Sequence, residues 1–242
     1  MRADEPGLRE AELQEAEGED EADTGRLEAF SDGVFAVAIT LLALDLHVPT
    51  TVELKQQVDL LGALVHQWPV YVAYTISFAF ILIMWINHHG MFKLIRRSDH
   101  LLLIFNGLLL LFIVAVPFST SLLAQYLSST PQYLPSTPQY PSSSYARDQH
   151  VAAAVFSGIY LLIALLYNAV WRYAAHDRRL IGGSVHQHRV DALTQGYRVG
   201  PALYLIAFLL AFISVPACVV ANVALAGYFA LPHFHWRRRK TA

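Results

Sequence analysis

The stretch Arg26-Leu-Glu-Ala-Phe-Ser-Asp-Gly33 runs directly into an apolar segment that covers residues 34–44. It carries a hydroxyl group, Ser31, and a carboxylate, Asp32, into the first segment that is able to cross a bilayer. Ionisable groups inside membrane spans are costly, so they usually face protein or water and mark a functional path. The stretch therefore predicts a polar site near the start of the first span.

The composition is that of a membrane protein. Of the 242 residues, 55% are hydrophobic and 15% are charged, and the mean hydropathy is +0.39. A soluble domain carries about 25% charged residues. The single cysteine, Cys218, excludes an intrachain disulfide and a metal site built from several cysteines.

Six segments are long and apolar enough to form transmembrane helices, since a span needs roughly 20 apolar residues. They cover residues 26–48, 67–91, 100–123, 151–173, 197–215 and about 217–236. Pro216 lies between the last two and predicts a tight turn there. The fold class expected is an all-α polytopic membrane protein with six transmembrane helices.

Lysine and arginine residues collect in the loops after the second and fourth segments and at the C-terminus, over residues 237–240. The outer loops hold only Lys55 and Arg147. Because basic residues favour the cytoplasmic side, both termini are predicted to be cytoplasmic. The short basic C-terminus, residues 237–242, is an orientation signal, and no nucleic-acid partner is expected.

Two regions outside the spans differ in composition from the membrane domain, residues 26–236. Residues 1–25 hold ten of the 19 acidic residues and predict a disordered cytoplasmic tail. The outer loop at about 127–147 repeats Ser-Thr-Pro-Gln-Tyr at 129–133 and 136–140, which favours extended conformers.

Polar residues of three consecutive spans lie at a similar depth. At 1.5 Å per residue, Asp32 and Asn106 both lie about 9 Å from the cytoplasmic ends of their helices, near His88 and His89. A hydrogen-bonded network would satisfy these groups, whether it only clamps the helices together or also serves function. The adjacent histidines point about 100° apart and cannot bind one metal ion together, so no metal site is predicted.

An apolar stripe follows on the first span, where Val37, Thr40, Leu41 and Leu44 recur at helical i, i+3, i+4, i+7 spacing. Such a stripe either packs against a neighbouring helix or, in several copies around an axis, forms rings of apolar side chains. Narrow hydrophobic rings gate ion flow by dewetting.

The segment from Arg26 to Gly33 resembles the first helix of prokaryotic transmembrane protein 175-type potassium channels. Trp85-Ile-Asn-His-His, Asn106 and Pro117-Phe-Ser-Thr are similar to later motifs of that family. The resemblance implies a homotetramer in which the first helix of each copy lines a central pore in the plasma membrane of a prokaryote. K⁺ is then the permeant ion, and no cofactor is expected.

The resemblance also implies roles for individual residues. Val37, Leu41 and Leu44 correspond to pore constrictions, although Val37 is smaller than the residue expected at the narrowest ring, and Thr40 corresponds to a selectivity residue. The inter-helix polar network corresponds to Arg26, Phe30, Ser31, Asp32, Asn106 and one of His88 and His89.

Two other functions stay open. Asp32 and a histidine of the second span are able to relay protons in a proton-coupled secondary transporter. However, no Gly- or Pro-broken helices occur at matching positions in two halves. An intramembrane enzyme is disfavoured because neither a serine nucleophile motif nor His-Glu-x-x-His occurs. The chain is therefore expected to be a channel and not an enzyme.

Overall fold

The computed structural model describes residues 6–46, 48–49, 59–127, 142–182, 185 and 187–230. Within these residues the chain is helical, apart from turns and one isolated antiparallel bridge between Ile95 and Ile181. The helices are α1 (Pro6–Leu41), α2 (Leu60–His66), α3 (Trp68–Phe92), α4 (His100–Val114), α5 (Val116–Leu127), α6 (Ser142–Ala175), α7 (Gln187–Leu210) and α8 (Val215–Ala230). The outer loop and the basic C-terminus of the sequence analysis lie mostly or wholly outside the described residues.

Among the described residues, four helical runs are long and apolar enough to cross a membrane: Asp23–Leu44, Val70–Phe92, His100–Leu127 and Tyr145–Arg178. They correspond to the first four predicted segments and confirm an all-helical membrane protein. The fifth and sixth spans stay predictions. α8 is apolar but has only 16 residues, and α7 is not among the helices that are long and apolar enough to cross a membrane.

The first helix is longer than expected. It begins at Pro6, so the structure differs from the disordered tail predicted for residues 1–25. Alanine, glutamate, glutamine and leucine, which are good helix formers, make up much of this acidic segment. It also extends a helix that the membrane segment has already nucleated, and extension adds one hydrogen bond for each residue fixed.

The third predicted span is broken where it was expected to be continuous. Ala115 separates α4 from α5, and its N–H bonds to Phe112 O three residues back, at 3.2 Å. Pro117 explains the break, because it has no N–H and its ring clashes with the carbonyl four residues earlier.

The turn before the last helix was predicted at the wrong residues. The structure places it at 211–214, and Pro216 instead lies in the first turn of α8. Proline is tolerated there because the first N–H groups of a helix have no partner within it. α7 begins at Gln187, ten residues before its predicted start.

The bundle is built around α6, which packs against α4, α5, α7 and α8, while α1 packs against α3 and α4. The largest fully buried side chains include Trp171 and Phe92, and Tyr160 is only 2% exposed. Burial of these side chains positions the polar groups of α1, α3 and α4 against each other.

The two basic loops that were predicted on one side of the membrane do meet at one end of the bundle. Arg96 N donates to Leu180 O at 2.8 Å, and Gly182 N donates to Leu94 O at 3.3 Å. A Cβ on Gly182 would lie 2.7 Å from Cγ of Arg96, so a larger residue here would force the Arg96 side chain to move. The shared end agrees with the predicted topology, although which side of the membrane it faces stays a prediction.

Asp99 caps α4 at this same end. Its carboxylate accepts hydrogen bonds from Leu102 N at 2.9 Å and from the Tyr173 hydroxyl, and Arg179 lies 3.5 Å away. Burial opposes the charge, but these hydrogen bonds and the guanidinium together hold the pKa of Asp99 below its usual value. The cap therefore joins the start of α4 to the end of α6.

Candidate functional site

One face of α1 is buried in the bundle. Leu27, Ser31, Phe35 and Ala38 of α1, and Leu42 at the start of the 3₁₀ turn that follows it, are each at most 8% exposed. Their spacing of three or four residues places them in one stripe along the helix. This stripe contacts α3 and α4, so the chain fixes the rotation of α1 about its own axis.

A chain of buried hydrogen bonds joins α1, α3 and α4. Nε2 of His88 lies 2.9 Å from Oδ1 of Asn106, and Nδ2 of Asn106 donates to Oγ of Ser31 at 2.9 Å. Ser31 in turn donates to Leu27 O at 2.8 Å. The predicted network thus contains Ser31 and Asn106, and His88 rather than His89 is its histidine.

The direction of these bonds assigns the tautomer of His88. Asn106 donates through Nδ2, so its Oδ1 accepts, and Nε2 of His88 must carry the proton. Nδ1 is buried without a hydrogen-bond partner among the described residues. The imidazole ring is stacked on Phe92 with centroids 4.3 Å apart and contacts the ring of Phe35. Ring contacts therefore position His88 in addition to its hydrogen bond to Asn106.

Asp32 belongs to a second, neighbouring cluster. Its Oδ1 accepts a hydrogen bond from Nε1 of Trp85 at 2.9 Å. Nδ1 of His89 lies 2.7 Å from Oε1 of Glu28. Sequence reasoning missed Glu28 and the bond from Trp85, although Glu28 precedes Asp32 by four residues and therefore shares its helix face.

Arg26 and Phe30 do not join the network within this chain. Phe30 is 64% exposed, and the exposed Arg26 lies 3.8 Å from Asp23 on its own helix. Both residues line an open recess beside Leu103 and Gly107 of α4. Asn106 of the network lines the same recess, so Arg26 and Phe30 lie beside the network, and their place in it stays a prediction.

The apolar stripe of α1, which continues to Leu44 in a 3₁₀ turn (Leu42–Asp45), is partly to largely exposed among the described residues. Val37, Leu41 and Leu44 are 54%, 36% and 77% exposed. The exposed Thr40 donates to Val37 O at 2.8 Å. These side chains are therefore largely uncovered within the described residues, and both interpretations, packing against a neighbouring helix and rings around an axis, stay predictions.

Four apolar spans, a buried hydrogen-bonded layer between helices and an uncovered apolar stripe define a multi-span helical membrane protein with a candidate transport site. The family model described as "Endosomal/lysosomal potassium channel TMEM175" matches residues 26–117, which contain every candidate site residue. The chain belongs to the TMEM175 potassium channel family.

Relatives of known name support this assignment. A potassium channel of Chamaesiphon minutus is 46% identical over 215 residues, which are 89% of this chain and 97% of the relative. A potassium channel of Streptomyces collinus is 38% identical and covers 86% of this chain and 91% of its own length. The endosomal/lysosomal proton channel TMEM175 of Bos taurus is 28% identical over 85% of this chain, but over only 40% of its own.

A solved structure shows the same fold. The crystal structure of a lysosomal potassium-selective channel TMEM175 homolog from Chamaesiphon minutus matches with a TM-score of 0.72 and 46% identity. The match covers 87% of this chain and 98% of that one. The likeness therefore extends over nearly the whole membrane domain.

The buried chain of hydrogen bonds predicts that Asn106→Ala destabilises the protein. The substitution leaves Nε2 of His88 buried without its acceptor, and such a group costs about 1–3 kcal/mol. We expect a lower unfolding temperature for purified protein in detergent. Asn87→Ala is the matched control, since within the described residues the half-buried Asn87 side chain donates to Ile83 O of its own helix and to no other helix. Equal losses in both variants would contradict a special role for the network.

Proposed function

We propose that this chain is one subunit of a K⁺-permeable cation channel, and that K⁺ moves passively through a pore lined by α1. The observation that carries this proposal is the uncovered apolar stripe of α1, whose helix is held in place on another face by buried polar bonds. The names of the Chamaesiphon and Streptomyces relatives support K⁺ as the permeant ion.

In the proposed assembly four copies of α1 surround an axis, and the bundle of each copy has six transmembrane helices. α7 and α8 supply the fifth and sixth spans, which leave both termini on the cytoplasmic side. The location proposed is the plasma membrane of a prokaryote. Neither a cofactor nor an enzymatic activity is part of the proposal.

Apolar constrictions gate this proposed pore. Val37, Leu41 and Leu44 form successive rings, and a ring narrow enough to exclude water blocks the passage of a hydrated ion. Because valine is small, the ring at Val37 is wider, and the tightest ring lies at Leu41 or Leu44. Thr40 is the hydroxyl-bearing member of the stripe, and we propose that it contacts the partly dehydrated cation.

Proton-coupled transport is the second candidate function. Two observations favour proton movement: carboxylates and a histidine meet at Glu28, Asp32 and His89, and the bovine relative is named a proton channel. The two candidates differ in energetics, because a channel only dissipates gradients whereas a coupled transporter moves K⁺ uphill when protons flow down theirs.

Replacing the constriction residues tests the channel directly. Leu41→Asn and Leu44→Asn should each raise K⁺ flux into vesicles several-fold, because a polar ring is wetted more easily. Ile206→Asn on α7 is the matched control, since Ile206 is also apolar and 56% exposed but lies on another helix. Unchanged flux in both leucine variants would contradict the gate, and K⁺ accumulation driven by a pH gradient would favour the transporter.

The role of Thr40 predicts a change in selectivity. Thr40→Val removes the hydroxyl group while it keeps the shape, so the K⁺ to Na⁺ permeability ratio should fall toward one. Thr40→Ser, which keeps the hydroxyl group, should preserve most of the ratio. Bilayer reversal potentials measured with K⁺ on one side and Na⁺ on the other provide the test, and a Thr40→Val ratio equal to wild type would refute the role.

The proposed pore requires four copies of the chain. Native mass spectrometry of the protein released from detergent should give a mass of about four times 27.0 kDa. A closed ring of four places the stripe of each α1 at the symmetry axis. A strictly monomeric protein that still conducts K⁺ would overturn this arrangement.

A further inference from the structure

Three metal-ligating side chains converge beside the buried network. Glu28 and Asp32 of α1 and His89 of α3 each offer one ligand atom, and these atoms all lie within 4.8 Å of one another. The two carboxylates are four residues apart and so project from the same face of the helix. The cluster lies near the cytoplasmic end predicted for α1 and α3.

A single indole ring positions two of these three side chains. Trp85 precedes His89 by one helical turn, and the two rings are stacked with centroids 5.6 Å apart and planes 12° apart. The same indole donates its N–H to Oδ1 of Asp32. Bonds of this kind, from residues that are not ligands themselves, orient the ligands of metal sites in proteins.

The cluster is also accessible. The side chains of His89 and Glu28 are 35% and 24% exposed, so an ion and its remaining water can reach them. Nδ1 of His89 now lies 2.7 Å from a carboxylate oxygen of Glu28. A cation inserted at this contact would replace a hydrogen bond with two coordination bonds.

We propose that Glu28, Asp32 and His89 bind a divalent transition-metal ion of the Zn²⁺ type. One imidazole nitrogen and two carboxylate oxygens suit Zn²⁺, whereas Mg²⁺ and Ca²⁺ prefer oxygen ligands alone. Three protein ligands leave a fourth position for water, as in open zinc sites. The site uses only one histidine, so it avoids the geometry that excludes a site built from His88 and His89 together.

Bound metal would tie the start of α1 to the end of α3. If α1 lines the pore, the ion restrains the same helix that carries the constriction, so it should reduce K⁺ flux. This consequence rests on the proposed function. Metal binding itself does not, because it requires only the three side chains within one chain.

The test uses the purified full-length protein in detergent after treatment with a chelator. Titration calorimetry with ZnCl₂ should show one site per chain, and Zn²⁺ should raise the unfolding temperature. Glu28→Gln and His89→Gln should each weaken this binding at least tenfold. His100→Gln is the matched control, since His100 is an exposed histidine at the start of α4, and it should bind Zn²⁺ like wild type.

Equal Zn²⁺ affinity in wild type, Glu28→Gln and His89→Gln would overturn the site. If a variant does not fold, X-ray absorption of the Zn²⁺-loaded wild type decides instead. One imidazole together with oxygen ligands supports the site, whereas two or more imidazoles or any sulfur ligand contradicts it. Vesicles without K⁺ flux at any Zn²⁺ concentration would count against the channel and leave the calorimetric result valid.

Discussion

The structure depends on one constraint: a polar atom placed in a low-dielectric interior is costly unless it finds a partner in the protein. Nε2 of His88, Asn106 and Ser31 are linked by hydrogen bonds across α3, α4 and α1, and the Ser31 hydroxyl donates a hydrogen bond to Leu27 O of its own helix. A rotation or slide of α1 would break these bonds without water to replace them. The network therefore sets both the depth and the rotation of the helix.

Once the rotation of α1 is set, helix geometry fixes the direction in which its other side chains point. Neighbouring residues point about 100° apart, so Ser31 turns toward α4 while Asp32 turns toward Trp85 of α3. The stripe that contains Val37 and Leu41 then lies away from both neighbours. Hydrogen bonds between membrane helices contribute only about 0.6–2 kcal/mol each. Their importance here is that they specify one orientation among several that apolar packing would allow.

The sequence predicted the depth of the polar residues along their helices better than the direction in which each side chain points. Counting residues along a helix placed Ser31, Asn106 and a histidine at one level, and α3 was located to within one residue at each end. Which histidine joins the network depends on how α3 is rotated, and that is decided by packing against distant segments such as Tyr167, which donates to Met84 O. A motif does not say in which direction its side chains point, and the structure places Arg26 and Phe30 in an open recess beside Asn106 rather than in the buried hydrogen bonds.

The residues of the stripe do not carry equal weight as evidence for a pore. The hydroxyl of Thr40 bonds to a carbonyl of its own helix, and such a group is tolerated facing lipid as well as water. Exposed leucines are likewise ordinary on a lipid-facing helix. Asp32 is different, because a carboxylate within a span requires protein or water around it, and the described part of the chain supplies one side-chain hydrogen bond to it, from Trp85. The combination of that carboxylate with an exposed stripe on one rotationally fixed helix supports the proposed aqueous path beside α1.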